Sequence, residues 1–257
     1  MTPRTLHLTS PMMYGPDVAQ FQASALDNRF GNFFEGGELD GIYGEQTAAA
    51  AKRTRFWLGY PETGANTWHN GVVGPRLMKI LLGNQNLPPE YLARREIRLH
   101  QRLTTPLRAR ALAIARSKIG EKEDPAKSNI CFASNWYGAI GRWCAMFVTY
   151  CYEFGGPSEA FDKTDARYAY VPFMVADARA GKNYLAITSA PKPGDISCYR
   201  FNSPEWRHTG LFESWSGSGS FQAIEGNTSI TSQDNGGAVM RRRRQTMDGV
   251  IFIHVGK

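Results

Sequence analysis

The chain has 257 residues, enough for one large domain or two modest ones. Its side chains are 42% hydrophobic and 21% charged, no apolar run approaches the roughly 18 residues of a membrane span, and residues 1–12 lack the pattern of a secretory signal. The net charge of +7 lies after residue 84, because residues 1–84 carry seven basic and seven acidic side chains and the remainder carries 23 and 16. This excess favours a polyanionic partner, without choosing among nucleic acid, a lipid surface and an acidic polymer.

Three short helices are predicted in the first third of the chain. Pro16 and Asp17 mark the start of the first helix, since proline fits the first helical position and an acidic residue suits the first turn. A second helix is expected over 45–58 and a third over 74–82. Together they predict a three-helix bundle that forms a domain over residues 1–84.

The segment 85–105 is predicted to be a semi-rigid linker. Pro88 and Pro89 interrupt the chain, and residues 90–103 form an arginine-rich stretch with helical character. The arginines are interpreted as a solvated helix face rather than as a contact surface for an anionic polymer. The linker is therefore expected to be helical and exposed.

Residues 106–257 are predicted to form an α+β domain in which helices precede an antiparallel sheet. Helices are expected over 107–119 and from about Cys144 to residue 156. From residue 184 onward the apolar period changes to two, which is typical of strands. The candidate strands are 184–188, 195–201, 209–215, 221–225, 238–243 and 250–255.

Among the four cysteines, Cys144 is the candidate nucleophile. It falls in the first turn of its predicted helix, where unpaired backbone N–H groups and the helix dipole favour a thiolate. The alternative is a small core residue, which is the commoner role of a buried cysteine. Cys151 and Cys198 are assigned to packing, and Cys131 is left unassigned. No CxxC spacing indicates a zinc site.

His208 is the candidate base, because a turn at 216–220 pairs its strand with the next one. Opposed residues of an antiparallel pair have a constant index sum, and a turn near residue 217 makes that sum about 433 to 435. Glu225 or Asn227 then lies opposite His208, and the two share one face of their strand because they differ by two positions. The spacing leaves open which of them orients the imidazole.

Two further patterns are given no catalytic role. His7, His69, His100 and His254 have no obvious acidic partner, and no HxxxH or HExxH pattern indicates a metal hydrolase. The four arginines at 241–244 lack nearby aromatic residues for base stacking. We therefore interpret this run as a solvated strand edge that discourages edge-to-edge pairing, and we expect no nucleic-acid partner.

Residues 107–255 resemble the CHAP family of wall-lytic enzymes, the cysteine- and histidine-dependent amidohydrolases or peptidases. The motifs that carry the resemblance stand in the family's order: Trp143-Cys-Ala-Met-Phe-Val148, Pro193-Gly-Asp-Ile196, His208-Thr-Gly210 and Glu225-Gly-Asn227. The resemblance implies a papain-like fold. It also implies the site residues, with Cys144 as nucleophile, His208 as base, Glu225 as orienting acid and Asn227 as a further polar member.

Two departures from that family concern the site. Residues 140–143 lack the spaced aspartates of members that bind calcium, so we expect no calcium, no other metal and no cofactor. Trp143 stands where some members carry a glutamine near the oxyanion, and it is assigned to substrate binding. The backbone N–H of Cys144 remains as one oxyanion donor, and the second donor is left open.

Residues 14–82 resemble the small helical peptidoglycan-binding domain. The matching segments are Gly15-Pro-Asp-Val-Ala-Gln-Phe-Gln22, Leu39-Asp-Gly-Ile-Tyr-Gly44 and Val73-Gly-Pro-Arg-Leu77. The resemblance implies that Asp40 and Tyr43 contact the wall polymer. An aspartate in such a loop more often caps the following turn, and this alternative stays open.

Together the resemblances imply a phage endolysin that cleaves an amide bond of peptidoglycan, as an endopeptidase or as an N-acetylmuramoyl-L-alanine amidase. A bacterial autolysin and a tail-associated lysin are alternatives, and a catalytically inactive wall-binding protein is an alternative of another class. Without a signal sequence, the protein is expected in the host cytoplasm until it is released to the wall. We expect a monomer whose partner is bacterial peptidoglycan and which does not insert stably into a membrane.

Overall fold

The computed structural model describes residues 4–27, 39–156 and 168–256. The chain folds into two compact units, Met1–Thr104 and Thr105–Lys257, which we call unit 1 and unit 2. Within the described part of the chain, no helix has the length and apolar character needed to cross a membrane.

Unit 1 is helical in its described residues. Its helices are α1 (Pro16–Asp27), α2 (Glu45–Trp57), α3 (Pro75–Leu81) and α4 (Pro89–Thr104). Helix α1 contacts α2 and α3, and α2 contacts α4. The segment predicted as a linker is thus largely a helix that packs within unit 1, and the three-helix bundle stays a prediction.

Two arginines of α4, Arg94 and Arg98, are packed rather than solvated. Arg98 donates to the carbonyl oxygens of Phe56 and Tyr60, the latter at 3.0 Å, and its guanidinium lies 4.1 Å from the centre of the Phe56 ring. Arg94 donates to the Gly59 carbonyl at 2.7 Å. A planar guanidinium can satisfy carbonyls at its edge while its face rests on a ring. The solvated-face interpretation is therefore wrong for these two residues.

Unit 2 has its helices before its strands, so the predicted α+β class is confirmed for this region. Its helices are α5 (Leu107–Ser117), α6 (Phe132–Tyr137), α7 (Cys144–Gly155) and α8 (Val171–Arg179). Its strands are β1 (Leu185–Thr188), β2 (Ile196–Tyr199), β3 (His208–Gly217), β4 (Ser220–Thr228), β5 (Ala238–Gln245) and β6 (Val250–Val255). Each predicted strand is present, whereas α6 and α8 are additional to the prediction.

The strands form one antiparallel sheet in the order β1-β6-β2-β3-β4-β5. Helix α7 packs against β3 and β4, and α5 packs against α7. Apolar side chains fill the space between helix and sheet: Phe147, Val148, Cys151, Leu211 and Ile224 are all fully buried. Burial of each large apolar side chain stabilises the fold by about 1.5 to 3 kcal/mol, so this core fixes the start of α7 against the two strands.

Candidate active site

Cys144 is the first residue of α7 and thus lies in the first turn, where the sequence predicts it, and Trp143 occupies the N-cap position without a side-chain cap. The N–H groups of a first helical turn have no partner within the helix and carry the positive end of its dipole. Cys144 also lines a cleft of about 330 Å³ together with residues of the segments 169–171 and 203–207. The thiol therefore combines a helix start with access to a cavity.

His208 is the first residue of β3 and is fully buried beside the next strand. Leu211 pairs with Ile224, an index sum of 211 + 224 = 435, so the predicted register is correct at this end of the hairpin. The imidazole Nε2 lies 2.8 Å from Oε2 of Glu225. Of the two alternatives left open by the spacing, the structure gives the hydrogen bond to Glu225.

The other ring nitrogen of His208, Nδ1, is buried and has no hydrogen-bond partner among the described residues. Burial lowers the pKa of His208, but the charge of Glu225 and interactions with Glu225 and the Cys144 thiol together raise it. With Nε2 committed to Glu225, Nδ1 is the nitrogen left to take the thiol proton. The raised pKa of His208 favours its imidazolium form, which suits a base that takes a proton from a thiol.

Arg244 completes this buried array and was missed by the sequence analysis. Its Nε donates to Oε1 of Glu225 at 2.8 Å and its Nη2 to Oε2 at 2.5 Å, a bidentate pair with both side chains buried. Burial raises the pKa of Glu225, but the hydrogen bond from Arg244 and the charge of His208 lower it more. The Arg244 guanidinium also lies over the rings of Tyr199 and Phe201. The solvated-edge interpretation is wrong for this arginine.

Two motif glycines let the strands approach one another and the helix. A Cβ at Gly210 would lie 2.5 Å from Cγ of Glu225, and a Cβ at Gly226 would lie 2.6 Å from Cβ of Phe147. Neither space can hold a methyl group without movement of the neighbour. Gly210 therefore leaves room for the Glu225 side chain to reach His208, and Gly226 lets β4 pack closely on α7.

The motif order and this geometry agree with a comparison to known families. Residues 134–227 match the family model described as CHAP domain. This part of the chain is a CHAP domain. CHAP domains are cysteine- and histidine-dependent amidohydrolases or peptidases, so unit 2 carries a hydrolase domain. No curated protein and no solved structure matches the chain.

Trp143 of the CHAP domain does not have the predicted substrate-binding position. Its side chain is fully buried, and the indole Nε1 donates to Oε1 of Glu123 at 2.8 Å. Glu123 is itself buried, and its backbone N–H donates to the carbonyl of Gly237 beside β5. The assignment to substrate binding is therefore corrected: the buried Trp143 side chain anchors the backbone directly before the nucleophile.

Asn227 is buried at the end of the CHAP match, but its side chain is engaged with the following loop. Its Nδ2 donates to Oδ1 of Asn235 at 3.2 Å, and its Oδ1 accepts from the backbone N–H of Gly237 at 3.2 Å. Its φ of 57° is in the left-handed region. The Asn227 side chain therefore holds the loop that follows β4, and among the described residues no hydrogen bond joins it to His208 or Cys144.

The two residues of unit 1 predicted to bind the wall differ in position. Tyr43 is fully buried, and its hydroxyl donates to the Gly71 carbonyl at 2.7 Å, so a binding role is wrong for this side chain. Asp40 accepts from Nε2 of Gln22 and from the backbone N–H of Ile42, both at 2.9 Å. That is the capping alternative, although Asp40 also lines a surface groove.

The surroundings of two further thiols and of His254 indicate structural roles. Burial raises the pKa of the Cys151 and Cys198 thiols, which disfavours their thiolate forms. His254 has an acidic partner that the sequence did not reveal, since its Nδ1 lies 2.9 Å from Oδ1 of Asp195. Within the described ranges, no group of three or more His, Cys, Asp or Glu residues is placed to hold a metal ion.

Proposed function

We propose that this protein is a peptidoglycan hydrolase that cleaves an amide bond of the wall peptide. The observation that carries the proposal is the Cys144, His208 and Glu225 array, which lies beside an open cleft within a CHAP domain. Covalent hydrolysis of an amide requires a nucleophile, a base that can take its proton and a group that orients the base. Cys144 at a helix start, His208 with one free nitrogen and the Glu225 carboxylate supply these three.

The chemistry follows from the two nitrogens of His208. Nδ1 takes the thiol proton of Cys144 while the Nε2 proton stays hydrogen-bonded to Glu225. The thiolate sulfur then bonds to the amide carbonyl carbon, and N–H groups at the start of α7 stabilise the oxyanion. The imidazolium gives its proton to the leaving amine as the C–N bond breaks, which leaves a thioester. Water, deprotonated by His208, hydrolyses the thioester and restores the thiol.

We further propose that unit 1 holds the enzyme on the wall. A groove of about 640 Å³ opens on this unit and is lined mainly by apolar side chains, with Asp40 among them. Tyr14 lines the groove and is 76% exposed, so its ring is available to stack on a sugar or to cover a peptide. Replacement of Tyr14 by alanine should weaken retention of a full-length Cys144→Ser variant on insoluble wall.

A wall-binding unit in the same chain as a CHAP domain supports an endolysin of a phage, which would reach the wall from the host cytoplasm. The protein should clear purified walls as a monomer without added metal. Cys144→Ser should abolish clearance, whereas Cys198→Ser, a buried thiol outside the array, should retain it. Unchanged clearance by Cys144→Ser would overturn the assignment of the nucleophile.

Mass spectrometry of the digested wall identifies the bond that is cut. New free amines at the alanine that was joined to muramic acid would show an amidase, and new termini within the peptide would show an endopeptidase. Intact walls after digestion by the well-folded protein would instead favour a wall-binding protein without catalytic activity.

A further inference from the structure

Two arginines flank the catalytic pair at the cleft. Arg142 stands two residues before Cys144, Arg207 directly precedes His208, and both arginines line the cleft that Cys144 also lines. Both converge on one carboxylate. Nη2 of Arg207 lies 2.8 Å, and Nη1 of Arg142 lies 3.4 Å, from Oδ2 of Asp234.

These two guanidinium groups retain N–H donors for a ligand. The Arg142 and Arg207 side chains are 52% and 40% exposed, whereas the Asp234 side chain that they share is 18% exposed. A guanidinium has five N–H donors, so a single shared carboxylate occupies only some of the donors of the pair. A second carboxylate that enters the cleft can therefore bind both groups in the geometry that guanidinium favours.

One further charged residue, Glu205, lines the cleft and is exposed. The two arginines contribute +2, and Asp234 and Glu205 contribute −2, so the formal charges of these four residues cancel. A simple anion would be repelled by Glu205, and a simple cation would be repelled by the arginines. A zwitterionic group with a carboxylate and an ammonium on the same carbon matches both the arginines and Glu205.

We propose that this cleft binds the free amino-acid centre of a diaminopimelate residue in the wall peptide, with the carboxylate on Arg142 and Arg207 and the ammonium at Glu205. The inference rests on the proposed wall-peptide function and narrows its substrate class. A cleft of about 330 Å³ is small for a ligand site, which suits a single residue next to the scissile amide. A lysine in the same place has an ammonium but no carboxylate and would leave the arginines without their ligand.

The test uses the full-length protein and three synthetic muropeptides that differ at one residue: diaminopimelate, diaminopimelate with its free carboxylate amidated, and lysine. Because hydrogen bonds to a charged group are stronger than neutral ones, kcat/KM should be at least about tenfold higher for the first peptide, which corresponds to about 1.4 kcal/mol. Arg142→Gln and Arg207→Gln should each reduce this preference. Arg241→Gln is the matched control, since Arg241 pairs with Glu213 and does not line the cleft.

The outcomes separate the inference from the function on which it rests. Loss of the preference in the two cleft variants, with its retention in the control, is the expected result. Equal hydrolysis of the three peptides by the wild-type protein, or an unchanged preference in both cleft variants, would overturn the inference and leave the hydrolase function standing. Failure to cleave any wall substrate would overturn both.

Discussion

Replacement of Arg244 by methionine tests the buried array most sharply, because it removes both donors to Glu225 and keeps an unbranched chain of similar length. The Arg244 and Glu225 side chains are 3% and 0% exposed, so the carboxylate would lose a bidentate partner without gaining water. Breaking a buried ion pair from one side costs about 3 to 5 kcal/mol. Typical domains have about 5 to 15 kcal/mol of stability, so the variant should fold with a marked loss.

The effect should also appear in the pH dependence of activity. The hydrogen bond from Arg244 lowers the pKa of Glu225 against the opposing effect of burial, so its removal raises that pKa. A carboxylate whose pKa is lowered in the folded state stabilises the fold at pH values above its ordinary pKa of 4.5. This stabilisation is lost as the pH falls through the lowered pKa. The variant should therefore lose activity at a higher pH on the acid side than the wild-type protein.

The assay combines urea unfolding with a pH profile of kcat/KM on a wall peptide. Arg241→Met is the matched control, because this arginine of the same strand is half exposed and pairs with Glu213, an interaction worth about 0 to 1 kcal/mol. Arg244→Lys keeps the charge but not the bidentate geometry and should be intermediate. The reasoning is refuted if Arg244→Met matches Arg241→Met in both unfolding free energy and the acid limb of the profile.

Two further substitutions test the packing that positions the array. Gly210→Ala should lower kcat/KM and cost about 1 to 3 kcal/mol of stability, since its methyl would displace Glu225. The control is Gly141→Ala, whose methyl meets no described atom within 4 Å and should leave both quantities unchanged. Equal stability and activity of the two variants would contradict the close approach of Gly210 to Glu225. Trp143→Phe leaves the buried Glu123 without its indole donor and should cost about 1 to 3 kcal/mol in urea unfolding. Trp143→Phe with wild-type stability would show that this hydrogen bond does not anchor the helix start.

The sequence predicts that Glu225 or Asn227 lies near His208, because a short turn fixes the register of the two antiparallel strands that it joins. The index sum is 435 at Leu211 and Ile224 but 437 at Gly217 and Ser220, since irregularities shift the register near the turn. Spacing alone could not choose between Glu225 and Asn227, because the choice depends on where each side chain finds a second partner. Glu225 finds Arg244, and Asn227 finds the loop that follows it.

The errors share a physical cause, which is tertiary contact that a one-dimensional pattern does not contain. The sequence favours solvated positions for Arg244 and Arg98 because charged residues are usually exposed, yet in the fold each meets hydrogen-bond acceptors and an aromatic ring. The motif position of Trp143 favours a contact with the substrate, whereas in the fold its indole donates to Glu123 of a distant segment. Helix α8 has one local signal in the sequence, a proline in its first turn.

The central claim is that the Cys144 thiolate attacks the wall peptide and carries its acyl group. Acid quenching during turnover, followed by proteolysis and mass spectrometry, measures this directly. The structure predicts a thioester-linked peptide on Cys144 and none on Cys151 or Cys198, whose thiols are buried with raised pKa values. Continued hydrolysis by Cys144→Ala, with no acyl group on that residue in the wild-type protein, would contradict the account.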